Sequence, residues 1–171
     1  MKILITGASG SGTTTLGKAL AKHLGCQVLD ADDFYWLPTT PAYQQKRSPE
    51  DRLALILSEL ADDTIVTGSI MNWGQALENA FDLIVFLTLD TEIRIKRLAE
   101  REQQEQGFVD PEFLAWAREY DNDGFTGRNR IKHEHWLANR LSKTITVAGD
   151  LTIEQRLDKV LTAINGLGKQ K

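Results

Sequence analysis

The sequence feature that most constrains the fold is a glycine-rich segment between an apolar run and a helical pattern. Ile3–Ile5 is a short apolar run typical of a buried strand. Thr13–Leu24 carries apolar residues at helical spacing and is followed by Gly25, a residue common just beyond helix ends. Between them, the sequence GASGSG lets the backbone turn successive amide N–H groups inward. This order predicts an anion-binding nest at the start of the helix.

Residues 7–15, which we call the P-loop, match a phosphate-binding pattern with one departure. The pattern G-x-x-x-x-G-K-[ST] places lysine at position 13, where this chain has Thr13. Thr14 and Thr15 stand where a magnesium ligand and a phosphate donor are needed. The alternative interpretation is a strand-to-helix turn that binds no ligand. The predicted nucleotide-binding residues are Gly7, Ser9, Gly10, Ser11, Gly12, Thr13, Thr14 and Thr15.

The missing lysine affects the expected catalysis more than the expected binding. A P-loop lysine neutralises the β- and γ-phosphates, and its loss removes stabilisation of the transition state. Either another cation replaces it, or the protein binds nucleotide and turns over slowly. Lys18 lies further along the same helix and is interpreted as a solvated surface residue.

The rest of the chain alternates between apolar strands and helical patterns. Further strands are predicted at residues 27–29, 64–67, 83–87 and 144–147. Helices are predicted from Pro49, with Ser48 as N-cap, and at residues 91–104, 111–120, 130–141 and 153–164. Residues 34–48, with Pro38 and Pro41, are predicted to be irregular, and the tail at 168–171 to be frayed. The pattern predicts one α/β domain over residues 1–171, a three-layer doubly wound fold with a parallel five-stranded sheet.

An acidic cluster follows the second strand, where a parallel sheet of this kind binds its ligands. Asp30, Asp32 and Asp33 repel one another unless a metal ion, a cation or a ligand hydroxyl is shared between them. One carboxylate can orient or deprotonate an acceptor hydroxyl, and a second can hold magnesium. No acidic residue ends the third strand, so Asp32 and Thr14 are the predicted metal ligands. The alternative is that Asp30 or Asp33 caps the next turn.

Three further residues are predicted to line an acceptor cleft together with Asp30 and Asp33. Tyr35 and Trp36 follow the acidic cluster and form either a substrate wall or part of the core. Ser69 follows the third strand.

Two arginine-rich segments are candidates to supply positive charge. Arg94, Arg97 and Arg101 share one face of the helix after the fourth strand, which makes them either phosphate ligands or a solvated face. Arg128 and Arg130 follow Gly124 and Gly127, which are predicted hinges. Closure of this segment over a triphosphate would supply the charge that Thr13 lacks.

Composition limits the partners and the compartment. The net charge is −4, so no global positive field draws the chain to nucleic acid or to anionic lipid. Cys26 is the only cysteine, which fits a reducing compartment. No apolar run approaches the roughly 18 residues of a membrane span, and the N-terminus lacks the basic region of a signal peptide. The sequence predicts a soluble cytoplasmic protein that binds neither nucleic acid nor membrane.

The P-loop, the sequence DADDFY at residues 30–35 and the arginines at 94–101 together resemble the P-loop small-molecule kinases of the adenylate-kinase and nucleoside-kinase group. The resemblance implies the strand order 2-3-1-4-5, ATP and Mg²⁺ as cofactors, and a substrate-binding excursion at 34–60. It also implies a helical lid at residues 102–132, with Arg94, Arg97 and Arg101 as lid residues, and contact of Asp32 with the acceptor hydroxyl. Catalytic residues would then be Asp32, Arg128 and Arg130.

Two departures from that group shape the functional hypothesis. Thr13 replaces the lysine, and Gly68-Ser69 does not resemble the arginine-bearing segment with which nucleotide-monophosphate kinases bind the acceptor phosphate. The sequence therefore favours a Mg-ATP-dependent phosphotransferase acting on a small metabolite, nucleoside or nucleotide, and among these a hydroxyl-bearing small molecule over adenylate. The alternative is a nucleotide-binding module in which ATP or ADP sets the position of the lid without useful catalysis.

Overall fold

The computed structural model describes residues 1–40 and 42–167, so Pro41 and the tail at 168–171 lie outside the described residues. Its centre is one parallel sheet in the order β2-β3-β1-β4-β5, which confirms the predicted order. The register pairs Ile3 with Ile65 on one side and with Leu83 on the other. The strands are β1 (Lys2–Gly7), β2 (Gln27–Asp30), β3 (Thr64–Thr67), β4 (Leu83–Thr88) and β5 (Lys143–Ala148).

Eight helices connect or flank these strands within the described residues. Two short helices, α2 (Ala31–Tyr35) and α4 (Gln75–Glu78), were not expected, because four or five residues are too few to show a helical period. The predicted helix at 111–120 ends in a 3₁₀ turn at Glu119–Asp121, and the one at 130–141 ends at Ala138. The helices are α1 (Thr13–Leu24), α2 (Ala31–Tyr35), α3 (Pro49–Glu59), α4 (Gln75–Glu78), α5 (Thr91–Gln106), α6 (Pro111–Arg118), α7 (Arg130–Ala138) and α8 (Ile153–Leu167).

Side chains that alternate along the strands build two cores, one on each face of the sheet. In β1, Ile3 and Ile5 pack with α1 and α8, whereas Leu4 packs on the opposite face with residues of α3 and α7. Burial of each such side chain contributes about 1.5–3 kcal/mol. The result is the predicted three-layer, doubly wound architecture, with the carboxyl ends of β1, β2 and β3 at one edge.

Close packing fixes the helix that follows the P-loop. Gly17 of α1 faces Thr67 at the end of β3, and a Cβ at position 17 would overlap the Thr67 methyl group.

A small apolar cluster of Ile95, Leu98 and Ala117 joins α5 to α6. The described part of the chain contains no helix with the length and apolarity needed to cross a bilayer.

Candidate active site

The P-loop leaves β1 and enters α1 through two glycines with left-handed backbone. Gly10 and Gly12 have φ of 82° and 94°, a region that favours glycine. A Cβ at Gly10 would stand only 2.7 Å from the carbonyl oxygen of Arg94, so the loop passes directly against α5. Among the described residues, no side chain caps the N-terminus of α1, whose N-cap is Gly12. The first-turn N–H groups therefore remain available to an anionic ligand.

Thr14 and Asp30 form the contact between the P-loop and the acidic cluster. Thr14 Oγ1 donates a hydrogen bond to Asp30 Oδ2 at 2.8 Å, and Asp30 Oδ1 accepts one from the Asp32 amide at 3.2 Å. Asp30 is therefore both the N-cap of α2 and the neighbour of the threonine predicted to bind metal. The Thr14 hydroxyl is therefore bonded to Asp30, and the assignment of Thr14 and Asp32 as metal ligands stays a prediction.

Asp32 lies in the first turn of α2, and its side chain is exposed. Partial desolvation and the neighbouring Asp30 carboxylate raise the pKa of Asp32, while Arg128 and Arg101 oppose that rise. The pKa of Asp33 is also raised, first by desolvation and then by Asp30, with Lys18 opposing. A carboxylate with a raised pKa is a stronger proton acceptor.

Of the two arginines predicted to be catalytic, Arg128 is the one that acts electrostatically on Asp32. Its guanidinium is half-buried and acts electrostatically on Asp32 and on Tyr120. Within residues 1–40 and 42–167, the Arg128 side chain has no hydrogen bond or ion pair. Burial lowers the pKa of Arg128, and Tyr120 and Asp32 act against that change. An unpaired, partly desolvated cation is a candidate anion ligand.

Arg130 and Arg94 are both bonded to Asp121. Arg130 Nε donates to Asp121 Oδ1 at 2.8 Å, so its exposed side chain is already paired with a carboxylate, and its catalytic role stays a prediction. Arg94 is 1% exposed and donates to the Ser9 carbonyl at 3.1 Å and to Asp121 Oδ2 at 2.6 Å. Arg94 is therefore an anchor between the P-loop and α5, which differs from the lid role that the family resemblance implies.

A cavity of about 460 Å³ opens over the P-loop. Arg97 and Arg101 line it, and their role as phosphate ligands stays a prediction; Arg97 also pairs with Asp150 at 2.5 Å. Arg156 of α8 reaches it too, although sequence reasoning missed this residue. The available signal was an arginine at a helical position otherwise occupied by apolar residues. The cavity is lined by Gly10, Gly12, Thr13, Thr14, Thr15, Arg97, Leu98, Arg101, Leu151, Thr152, Ile153 and Arg156.

Aromatic side chains after the acidic cluster form a half-buried wall. The Tyr35 ring stacks on Trp73 with 6.2 Å between centroids and meets Trp36 edge-on at 4.9 Å. The Arg52 guanidinium lies over both Tyr35 and Trp73, at 4.9 and 4.8 Å from the ring centroids. Arg52, a second residue that sequence reasoning missed, has a buried Nε without a hydrogen-bond partner among the described residues. Ser69 is half-buried after β3.

A buried histidine joins β1 to the segment that carries Arg128. His133 is fully buried, with Nε2 at 3.1 Å from Thr6 Oγ1 and Nδ1 at 2.9 Å from the Tyr120 hydroxyl. Burial and the nearby Arg128 lower the pKa of His133 to about 3, and burial raises the pKa of Tyr120 to about 12. Both rings are therefore neutral near pH 7, and the contacts form a fixed polar network beneath the cleft.

Similarity to known proteins agrees with this geometry. The sequence model of a family described as an AAA domain matches residues 3–112. The protein YqaC of Bacillus subtilis, described as uncharacterized, is 38% identical over 93% of this chain and 94% of its own length. The cytidylate kinase of Archaeoglobus fulgidus is 33% identical, over 60% of this chain and 62% of its own length.

A solved structure supports the same fold. Shikimate kinase from Acinetobacter baumannii aligns with a TM-score of 0.63 at 19% identity, covering 99% of this chain and 95% of that one. The family match spans more than half of the chain, and the relatives with named activities include cytidylate kinases, gluconokinases and a shikimate kinase. This chain therefore belongs to the AAA domain family of P-loop proteins, and its homologues include small-molecule and nucleotide kinases.

Proposed function

We propose that this chain is a Mg-ATP-dependent phosphotransferase that phosphorylates a hydroxyl group of a small anionic metabolite. The observation that carries the proposal is the bond from Thr14, which lines the P-loop cavity, to Asp30 of the acidic cluster, beside which the unpaired Arg128 acts on Asp32. In the reaction, the acceptor oxygen bonds to the γ-phosphorus, the bond from that phosphorus to the β–γ bridging oxygen breaks, and ADP leaves. The acceptor proton passes to Asp32, which lies beside the cleft with a raised pKa.

The residues present fit ATP and Mg²⁺. The P-loop offers uncapped N–H groups to phosphates, and the Thr14 hydroxyl with the Asp30 carboxylate supplies the hard oxygen ligands that Mg²⁺ prefers. The described residues hold no group of three His, Cys, Asp or Glu side chains suited to a metal. That pattern suits an ion held mainly by one or two carboxylates, water and substrate phosphates. Bound there, Mg²⁺ would neutralise charge on the phosphates.

The anionic character of the acceptor follows from two arginines without ion-pair partners among the described residues. Arg128 faces Asp32, and Arg52 stands over the Tyr35 and Trp73 rings. A carboxylate or phosphate on the acceptor would satisfy such guanidinium groups. The names of the relatives refer to shikimate, gluconate and cytidylate, which all combine a negative charge with hydroxyl groups.

The second candidate function is a nucleotide-binding module with little catalysis. Thr13 is the observation that favours it, because the position of the catalytic lysine is neutral. Three carboxylates gathered beside the P-loop argue against it, since a binding module has no need of an acceptor site.

Phosphorus NMR of Mg-ATP with the purified chain distinguishes the two functions. The acceptor pools would be nucleosides, nucleoside monophosphates, sugars, sugar acids and shikimate-like acids. We expect a new phosphoester resonance together with ADP in an anionic pool, and its loss when EDTA removes Mg²⁺. Intact ATP in every pool, with line broadening that shows binding, would instead support the binding module.

Arg128→Ala is expected to raise the acceptor KM by about 10- to 100-fold, since a hydrogen bond to a charged group contributes about 1.5–3 kcal/mol. Arg130→Ala is the matched control, because that arginine is held by Asp121, and its acceptor KM should stay near the wild-type value. Steady-state kinetics with the acceptor identified by NMR would measure both. Equal effects of the two substitutions would remove Arg128 from the acceptor site.

A further inference from the structure

Arg156 is a buried cation with no acidic partner bonded to it in the described residues. Its side chain is 3% exposed and donates from Nη1 to the Ser11 carbonyl at 2.7 Å and from Nη2 to the Gly149 carbonyl at 3.4 Å. Its Nε has no hydrogen-bond partner within residues 1–40 and 42–167. Asp150 acts on it electrostatically but is bonded to Arg97. A buried arginine is normally paired with a carboxylate.

The guanidinium of Arg156 lies beside Gly12, the residue before Thr13. Its Nη1 stands 2.8 Å from the point that a Cβ of Gly12 would occupy, and Nη1 of Arg97 stands 4.0 Å from the same point. Both guanidinium groups line the cavity that also holds Thr13, Thr14 and Thr15. Gly12 therefore leaves room beside the P-loop that an arginine from α8 uses.

Positive charges outnumber negative charges on the side of the cavity that Arg97 and Arg156 line. Burial lowers the pKa of Arg156, and Arg97 lowers it further because like charges repel. One carboxylate, Asp150, stands against the two arginines among the described residues here. A polyanion seated on the P-loop would relieve that repulsion, as phosphates do in other arginine-lined sites.

We propose that Arg156 supplies the bound nucleotide phosphates with the positive charge that position 13 of the P-loop lacks. The proposal rests on the function proposed above and identifies its missing cation. Arg97 is held by Asp150, whereas Arg156 is held by backbone carbonyl groups alone, so its charge is free to act on a ligand. During transfer, negative charge develops on the β–γ bridging oxygen as its bond to the γ-phosphorus breaks, and a cation beside the P-loop stabilises that charge.

The test is a double-mutant cycle between Arg156→Gln and Thr13→Lys. Two measurements are made on each variant: the affinity for a fluorescent ATP analogue, and kcat/KM for ATP in phosphoryl transfer. We expect Arg156→Gln to weaken both by about 10- to 100-fold, and the double variant to recover most of the loss, because lysine restores the charge from within the P-loop. Arg118→Gln, on an exposed arginine of α6, is the control and should change neither.

A structural role for Arg156 gives a different result. In that case the double variant would be as defective as Arg156→Gln, or Arg156→Gln would behave as wild type, and either result overturns the proposal. If Arg156→Gln does not fold, Arg156→Lys replaces it and is expected to retain nucleotide affinity within about threefold, since it keeps the charge. A folded Arg156→Lys with affinity reduced tenfold or more would also overturn the proposal. Absence of transfer in every variant, with affinity lost and recovered as expected, would refute the kinase function and leave the role of Arg156 intact.

Discussion

Asp32→Asn is expected to lower kcat by about 10²- to 10⁴-fold while the affinity for ATP stays within about twofold of wild type. Asparagine keeps the size of the side chain and its place in the first turn of α2, but it cannot accept a proton. The P-loop amides and the Thr14–Asp30 contact do not depend on the Asp32 carboxylate. Steady-state kinetics and equilibrium nucleotide binding on the same preparation would separate the two effects.

Asp33→Asn provides the matched control, one position further along α2. Its turnover should remain within about threefold of wild type, because the pKa of Asp33 is shifted by desolvation, Asp30 and Lys18, and Arg128, the proposed acceptor ligand, is not among the groups that act on it. If the two substitutions had equal effects, the carboxylates of Asp30, Asp32 and Asp33 would act together through their charge, and Asp32 would not be a distinct base.

The pH dependence of kcat tests the same assignment of Asp32 as the base. A base must be deprotonated to act, so kcat falls as the pH drops through the pKa of Asp32. Desolvation and Asp30 raise that pKa above its usual value. We therefore expect the acidic limb of the wild-type profile to lie at higher pH than an ordinary aspartate gives, and to be missing from the residual activity of Asp32→Asn.

Features encoded in short segments could be predicted from the sequence. The P-loop depends on glycines at Gly10 and Gly12, which tolerate positive φ, and the α3 start depends on Ser48 and Pro49. The strands are apolar runs of four to six residues bounded by polar ones. Their order followed from the resemblance to a family and not from the strands themselves, because each strand is apolar enough to pair with any other.

The arginines of α5 show that helical spacing predicts which residues share a face but not what that face contacts. Spacing placed Arg94, Arg97 and Arg101 on one face, but it could not say how that face is turned. The structure turns it so that Arg94 is buried against the Ser9 carbonyl and Asp121, while Arg97 reaches the cavity. Asp121 lies 27 residues after Arg94, and the same carboxylate also binds Arg130.

Long-range contacts account for the two residues that were missed. Arg156 meets Ser11 across 145 positions of sequence, and Arg52 meets Trp73 across the α3–β3 connection. Neither residue lies in a local motif, so its place at the site could be found only from the folded structure, in which the sheet positions its helix there.

Asp121→Ala is expected to destabilise the fold by about 3–5 kcal/mol, because it leaves the buried Arg94 guanidinium without its counter-charge. Arg94 also donates to the Ser9 carbonyl, so the P-loop should lose its anchor to α5 and nucleotide affinity should fall with stability. Urea unfolding measures the first effect and nucleotide titration the second. Arg130→Ala removes the exposed partner of the same carboxylate and should cost about 0–1 kcal/mol.

The pH dependence of the Asp121 contribution has a defined sign. Burial alone would raise the pKa of Asp121, but hydrogen bonds from Thr91, Arg130 and Arg94 outweigh burial and hold the pKa below its usual value. A carboxyl group with a lower pKa in the folded state stabilises the fold at neutral pH and loses that contribution as the pH falls through its folded pKa. The stability difference between wild type and Asp121→Ala should be complete at pH 7 and shrink below about pH 4. A difference that persists unchanged at lower pH would mean that packing, and not charge, holds Arg94 in place.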